Sequence, residues 1–335
     1  MKKIVSLLMV ALMVVGLFGL VGCGEKKAEP LKFGMGVYST MDKAASADGE
    51  TQGAGEATVN VAGVLIDADG KIVKCVIDSA DNTVNFTADG KSVKAGEFKT
   101  KYELGDAYGM KAYGGAKKEW FEQVDAFTAL VVGKTYDEVK ALVGAENKGN
   151  EEVINAGCTI MISDFIFAIE NAVKNAAESN ATKDDTLKIG VVSTQASAKD
   201  ATEDAKGTTG FDVSIAVMAT DKDGKVTAAD SDVVSASFEF DTKGVTSKET
   251  AKVSSKKDAG ANYGMAAYGQ DLNGDGTVKE WFEQADILDK AIIGKNADEI
   301  GALALETGYG AEDLQKAGCT INIADMIKAA VKASK

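Results

Sequence analysis

Apolar and polar residues alternate from Thr58 to Ile66 and again from Ile72 to Ile77, with Asp69-Gly70 between the two runs. Period-two alternation predicts half-buried strands. Asp-Gly between two such runs is a strong hairpin signal, because glycine accepts the positive φ the turn needs and the aspartate side chain caps the turn. Phe211 to Ala219, Asp223-Gly224 and the run from Val226 onwards repeat the arrangement. A strand-like piece precedes each hairpin, at Phe33 to Tyr38 and at Leu187 to Val192, and a polar, Gly- and Ala-rich loop follows each piece. The period then changes. Trp120, Val124, Phe127, Leu130 and Val131 fall at helical spacing, as do Trp281, Ala285, Leu288 and Ile292, with Gly133 and Gly294 as stops. Thr135-x-x-Glu138 and Asn296-x-x-Glu299 have the form of capping boxes and open second helices over Tyr136 to Val143 and Ala297 to Ala304. Phe165, Ile166, Ile169 and Val173 mark a last helix, matched by Met326, Ile327, Ala330 and Val331. Strands first and helices afterwards predict an α+β fold with antiparallel sheets.

The pattern occurs twice. Ala-Gly-Cys-Thr-Ile stands at 156–160 and again at 317–321, and Trp-Phe-Glu-Gln at 120–123 and again at 281–284, both at a separation of 161 residues. Tyr108-Gly109-Met110 recurs as Tyr263-Gly264-Met265, and the Asp67 to Lys71 turn as Asp221 to Lys225. A period this long predicts two similar domains rather than a solenoid. The expected division is residues 31–177 and 187–335, joined by a polar linker at 178–186. Each half is near the usual domain size and long enough to bury a core of its own.

The first residues set the expected address. Lys2 and Lys3 precede an apolar run from Ile4 to Leu20, too short for a comfortable membrane span, which ends in Leu20-Val21-Gly22-Cys23. Residues 1–22 resemble a bacterial lipoprotein signal peptide, with Cys23 as the lipidation site and residues 23–30 as a tether. Two acyl chains on one residue give stable anchoring where a single chain does not. The expected location is the outer, extracytoplasmic face of the cell membrane.

Charge and missing residue types narrow the chemistry. The full chain of 335 residues carries −14, and loss of two lysines with the signal leaves 35 lysines against 51 acids, or −16. Neither arginine nor histidine occurs anywhere. So acidic a chain is not expected to bind nucleic acid, where phosphate neutralisation supplies the affinity. Lacking histidine, it has no Ser-His-Asp triad and no His-Glu-x-x-His zinc site. Lacking arginine, it must hold any anion by lysine, backbone N–H groups or a covalent bond. No acidic pair is singled out by spacing, so an electron-transfer or binding protein is expected rather than a hydrolytic enzyme.

The candidate site is the repeated Thr-Ile motif. Gly157-Cys158-Thr159 and Gly318-Cys319-Thr320 each precede a helix, where unpaired N–H groups and the positive end of the helix dipole suit a phosphate. An alternative on the residues alone is a short strand with β-branched threonine and a glycine bend. Cys158 and Cys319 are equivalent, Cys75 has no counterpart, and no disulfide framework results; the two equivalent cysteines are expected to be small buried residues.

A hairpin with Asp-Gly-Lys-Ile, then helices, then Gly-x-Thr-Ile and a closing helix rich in Ala and Val resembles the FMN-binding domain family. In that family a segment close to Ser-Gly-Ala-Thr-Ile precedes the last helix, and a flavin transferase can join its threonine to the FMN phosphate. Here cysteine replaces the alanine, Ala156 and Ala317 replace the preceding Ser or Thr, and Glu152 and Asp313 lie seven residues before the threonine rather than six. The resemblance implies FMN at Thr159 and Thr320, with Gly157, Cys158, Gly318 and Cys319 around it, a flavin transferase and redox partners, and an electron-carrier role. Trp120, Tyr108, Tyr113, Trp281, Tyr263 and Tyr268 are candidates to stack on the ring, with core packing the other role for the tryptophans. The rival expectation is a surface-binding or structural lipoprotein with no redox role.

The second half alone carries a six-residue insertion between Gly269 and Glu280. Asp271, Asn273, Asp275 and Thr277 within it resemble the start of an EF-hand calcium loop, with oxygens at positions one, three and five and glycine at six. Position twelve is Phe282 rather than an acid, so Glu280 or Glu283 would have to substitute.

Overall fold

A computed structural model describes residues 28–247, 252–269, 271, 274 and 276–335. The expected signal peptide and Cys23 lie outside the described residues. Among those described, no helix is long and apolar enough to cross a membrane.

The fold is α+β, with two antiparallel four-stranded sheets, each followed by helices. Strands β1 (Pro30–Ala45), β2 (Gly53–Ile66) and β3 (Ile72–Phe86) form a meander, then helices α1 (Lys101–Leu104), α2 (Trp120–Val131), α3 (Tyr136–Lys140), α4 (Glu151–Ala156) and α5 (Ser163–Lys174) follow. Strand β4 (Ala177–Thr182) returns beside β1, giving the order β3-β2-β1-β4. The second copy runs β5 (Thr186–Lys199), β6 (Gly207–Thr220), β7 (Val226–Phe240) and β8 (Lys252–Ser255), in the order β5-β6-β7-β8. Its helices are α6 (Lys256–Ala259), α7 (Met265–Tyr268), α8 (Trp281–Ile292), α9 (Ala297–Gly301), α10 (Glu312–Lys316) and α11 (Ala324–Ala333).

The predicted turns have the expected chemistry. Asp67 Oδ1 accepts from the N–H groups of Asp69 and Lys71, and Gly70 sits at φ 78°. Asp221 and Gly224 repeat this. Both predicted capping boxes form, Thr135 with Glu138 and Asn296 with Glu299. The helices they open are shorter than expected, ending at Lys140 and Gly301.

Three further features differ from the sequence reading. Strands β1 and β5 run on past Tyr38 and Val192 to Ala45 and Lys199, through the start of the stretches expected as loops. Residues 178–186 are not a plain linker: most of them form β4 and the turn into β5, with Pro30 in register with Thr182 and the Ser179 hydroxyl donating to Leu31 O. The two copies also share a core. Phe33, Val59, Val61 and Leu65 on the inner face of the first sheet pack in one cluster with Phe211, Val213, Ile215 and Val217 of the second. The sheets therefore stack face to face, with helices covering both outer faces. Ala62, Val64, Ile72 and Ile77 meet α2 and α5; Ala216, Met218, Val226 and Val233 meet α8 and α11. Close approach to the helices uses glycine: a Cβ on Gly36 would lie 2.1 Å from Ala168 O, and one on Gly190 2.0 Å from Ala329 O. Loops interlock the copies further. Gln195 accepts from Ala95 N and donates to Val93 O, each at 2.9 Å, and Ala47 N donates to Gly244 O.

Candidate functional site

The threonine motif is built the same way in both copies. Helices α4 and α10, which periodicity did not announce, run into Gly157 at φ 100° and Gly318 at φ 107°. At these angles an L side chain is strained. A Cβ would also come within 2.4 Å of Lys118 Nζ at Gly157 and 2.6 Å of Lys279 Cε at Gly318. Both glycines thus make a bend under a lysine stem. The next residue turns inward: Cys158 and Cys319 are fully buried in the two helical cores, with burial pushing their thiols up to about 11 and about 12. This bears out the expectation of small buried residues; their side chains sit in the cores and make no hydrogen bond to the threonine hydroxyl. Cys75 is likewise buried and pushed up to about 12.

Each threonine is held by a glutamine. The N–H and Oγ1 of Thr320 both donate to Gln284 Oε1, at 2.8 and 3.0 Å; those of Thr159 donate to Gln123 Oε1 at 2.9 and 3.0 Å. The threonines precede the helix N-termini by several residues, so their hydroxyls meet a buried amide rather than a helix N–H. Gln284 is fixed in turn, its Nε2 donating to Lys279 O at 2.9 Å and to Met265 Sδ at 3.3 Å. Gln123 does the same with Lys118 O and Met110 Sδ. Glu119 and Glu280 accept from the N–H of Met110 and of Met265, tying the Tyr-Gly-Met segment to the start of α2 and α8. The glutamines escaped the sequence reading, although Trp-Phe-Glu-Gln recurs at the same separation as the threonines.

A lysine stands over a tyrosine and a tryptophan in each copy. Lys101 Nζ is 5.5 Å from the Tyr108 ring centre and 5.7 Å from that of Trp120; Lys256 Nζ is 5.5 Å from both Tyr263 and Trp281. Such contacts are attractive. Both tryptophans are 3% exposed and belong to the helical cores, so neither offers a free face for stacking. Tyr108 is half-buried, Tyr263 is exposed and Tyr113 projects freely at 92% exposure; the side chain of Tyr268 lies outside the described residues.

In the second copy these groups surround a cleft of about 700 Å³, lined by Lys256, Tyr263, Gln284, Tyr309, Thr320 and Asn322. That size lies within the roughly 300–1,000 Å³ of small-molecule and cofactor sites. Two carboxylates also line it, each already engaged: Asp212 accepts from Ser235 Oγ, and Asp325 pairs with Lys328. A phosphoester at Thr320 would fit this donor set. Esterification would remove the hydroxyl proton, and Gln284 Oε1 would keep the Thr320 N–H as its donor, so no buried polar atom would be orphaned.

The insertion in the second copy is partly described. Asp271 accepts from the N–H groups of Gly274 and Gly276, at 2.7 and 2.8 Å, and Thr277 is exposed. Asn273 and Asp275 lie outside the described residues. Glu283 accepts from Glu280 N in the capping box that starts α8. Among the described residues, no cluster of three or more metal-ligating side chains occurs.

No family model, no curated protein and no solved structure matches this chain.

Proposed function

We propose that the protein is a lipid-anchored, extracytoplasmic carrier of flavin mononucleotide, with Thr159 and Thr320 as the attachment positions. One observation carries the reading: in both copies a threonine hydroxyl is oriented by a buried glutamine, and in the second copy it borders a cleft of cofactor size that Lys256 and Tyr263 also line. In attachment, the Thr320 Oγ–P bond forms, the hydroxyl proton is lost, and the P–O–P bond of a flavin dinucleotide donor breaks with release of its nucleotide half. Gln284 orients the hydroxyl, Tyr263 and Tyr309 line the cleft beside it, and the covalent bond would do what an arginine clamp does elsewhere. When bound, the flavin supplies the electron transfer, and the protein supplies position and electrostatics. Lipidated Cys23 holds the carrier at the membrane surface. Calcium at Asp271, Asn273, Asp275 and Thr277 is a separate proposal, tested by calorimetric titration of Ca²⁺ into the native chain and the Asp271→Ala variant.

The test is coexpression of the secreted chain with a flavin transferase, followed by intact mass and visible absorbance. Added flavin mass that falls on Thr320→Ala or Thr159→Ala supports the carrier. A colourless, unmodified protein sinks it and leaves the surface-binding or structural lipoprotein as the better account.

A further inference from the structure

The two copies differ in how the lysine over the tryptophan is paired, and the difference is written into strand register. On the first sheet Thr58 of β2 faces Asp81 of β3, and on the second the equivalent pair is Asp212 of β6 and Ser235 of β7. The acid has changed strand. Both pairs keep a hydroxyl-to-carboxylate bond, Thr58 Oγ1 to Asp81 at 2.8 Å and Ser235 Oγ to Asp212 at 2.6 Å. The lysine above them is affected differently. Lys101 pairs with Asp81 at 3.0 Å, with a side chain only 16% exposed, so its charge is neutralised inside the first copy. Ser235 cannot do this for Lys256. Among the described residues no carboxylate lies within salt-bridge distance of Lys256, and its ammonium faces the cleft that holds Thr320. The cleft wall differs as well: Tyr309 and Asn322 stand where the first copy has Lys148, paired with Glu146, and Met161, which is 65% exposed.

The geometry points to unequal copies: the second copy is the one that takes the ligand, an aromatic phosphate monoester, and Lys256 is its anion contact. This rests on the flavin reading above. Because the half-buried Lys256 has no carboxylate within salt-bridge distance among the described residues, an incoming phosphate forms a charge-assisted hydrogen bond without first breaking a salt bridge. At Lys101 the phosphate must displace Asp81.

The soluble chain, without residues 1–22 and with Cys23→Ser, is made in cells lacking a flavin transferase and titrated with FMN and with riboflavin, followed by flavin fluorescence. One FMN is expected per chain, weakened about tenfold or more by Lys256→Gln and by Ser235→Asp, which puts a carboxylate at the strand position of Asp81 while Asp212 stays opposite it, and restored by Lys256→Arg. Riboflavin, lacking phosphate, is expected to ignore both changes. Asp81→Ser is expected to add a second site by releasing Lys101. Circular dichroism melts confirm that each variant is folded. Two equal sites, or one site indifferent to Lys256→Gln and Ser235→Asp, overturn the inference. Intact mass after coexpression with a transferase separates the two levels of argument. Labelling that survives Thr159→Ala and vanishes in Thr320→Ala supports unequal copies; equal labelling of both threonines overturns the inequality and leaves the flavin reading standing. Flavin taken up by neither route overturns the flavin reading and this inference with it.

Discussion

Gln284 Oε1 accepts two hydrogen bonds from one residue, the N–H and the hydroxyl of Thr320. A single acceptor thereby fixes both the backbone position and the χ1 rotamer of the threonine. Gln284 is almost fully buried, so it cannot swing away to solvent. Replacing it with leucine leaves the Thr320 N–H, Lys279 O and Met265 Sδ without their partner. The expected cost is about 1–3 kcal/mol in urea unfolding. Loading of Thr320 by a flavin transferase is expected to fall as well, because the hydroxyl loses its fixed direction. Gln123→Leu, with the same stability cost, should leave labelling of Thr320 unchanged. Equal effects of the two variants on Thr320 labelling would refute a local positioning role.

Asp232 gives the fold a pH dependence of unusual sign. Burial pushes its carboxyl from 3.8 up to about 6, although the hydroxyl of Ser255 and the N–H groups of Lys257 and Val233 pull the other way. Asp78 stands in the equivalent place, also pushed up to about 6 by burial. An acid whose pKa is higher in the folded state binds protons preferentially when folded. Its contribution is therefore present below the unfolded value and is lost as pH rises through about 6. Asp232→Asn stays neutral throughout and keeps an acceptor oxygen. The stability of the variant relative to the native chain should rise between pH 4 and pH 7, by roughly 2–3 kcal/mol for a shift of about two units. Chemical denaturation at the two pH values measures this, and a difference that stays flat contradicts it.

The shared core predicts that the halves do not stand alone. A fragment of residues 28–184 keeps the first sheet and its helices but strips Phe33, Val59, Val61 and Leu65 of the sheet they pack against. An uncovered apolar sheet face of this kind drives association. The fragment is expected to run as a dimer or larger species in light scattering and to bind a hydrophobic dye. A monomeric fragment with a cooperative melt would show that the helical core alone suffices.

Parts of this architecture were legible in the chain. Val59, Val61, Ile72 and Ile77 alternate around Asp69-Gly70, and the hairpin follows; Trp120 to Val131 repeats at helical spacing, and the helix follows. Strand β4 was not legible because Ala-Glu-Ser-Asn-Ala-Thr has no apolar alternation and Thr182 is its one β-branched residue, and its pairing is set by β1 beside it. The stacking of the sheets does leave a trace in the chain: β2 is apolar at Val59 and Val61 and also at Ala62 and Val64, so both faces need cover. Helices α4 and α10 span six and five residues, too few for a period to emerge. At the site the threonine stood out by repetition. Its glutamine lies 36 residues upstream, and only the fold brings the two together.

Lys257 holds the most exacting charge arrangement in the second copy. Its ammonium lies 2.5 Å from Asp230 and 2.9 Å from both Asp286 and Asp289. Burial would lower its pKa, but the attraction of Asp289 and Asp230 outweighs this and holds it charged well above the ordinary lysine range. Asp289 also accepts from the N–H and hydroxyl of Ser231, which fixes α8 to β7. In the first copy Tyr102 occupies the place of Lys257 and its hydroxyl donates to Asp125 instead, so this cluster belongs to one copy only. Lys257→Met keeps the stem and removes the charge, leaving Asp230 and Asp289 facing each other without a counterion. Removing one partner of a buried pair typically costs about 3–5 kcal/mol. The loss should be largest at pH 7 and shrink towards about pH 5, because unpaired buried carboxylates take up protons readily. The triple variant Lys257→Met, Asp230→Asn, Asp289→Asn removes the uncompensated charge and should recover most of the lost stability at pH 7. Thermal melts at the two pH values decide it: a loss that is independent of pH, or a triple variant no better than Lys257→Met, would mean that packing of the lysine stem rather than its charge secures α8 against the sheet.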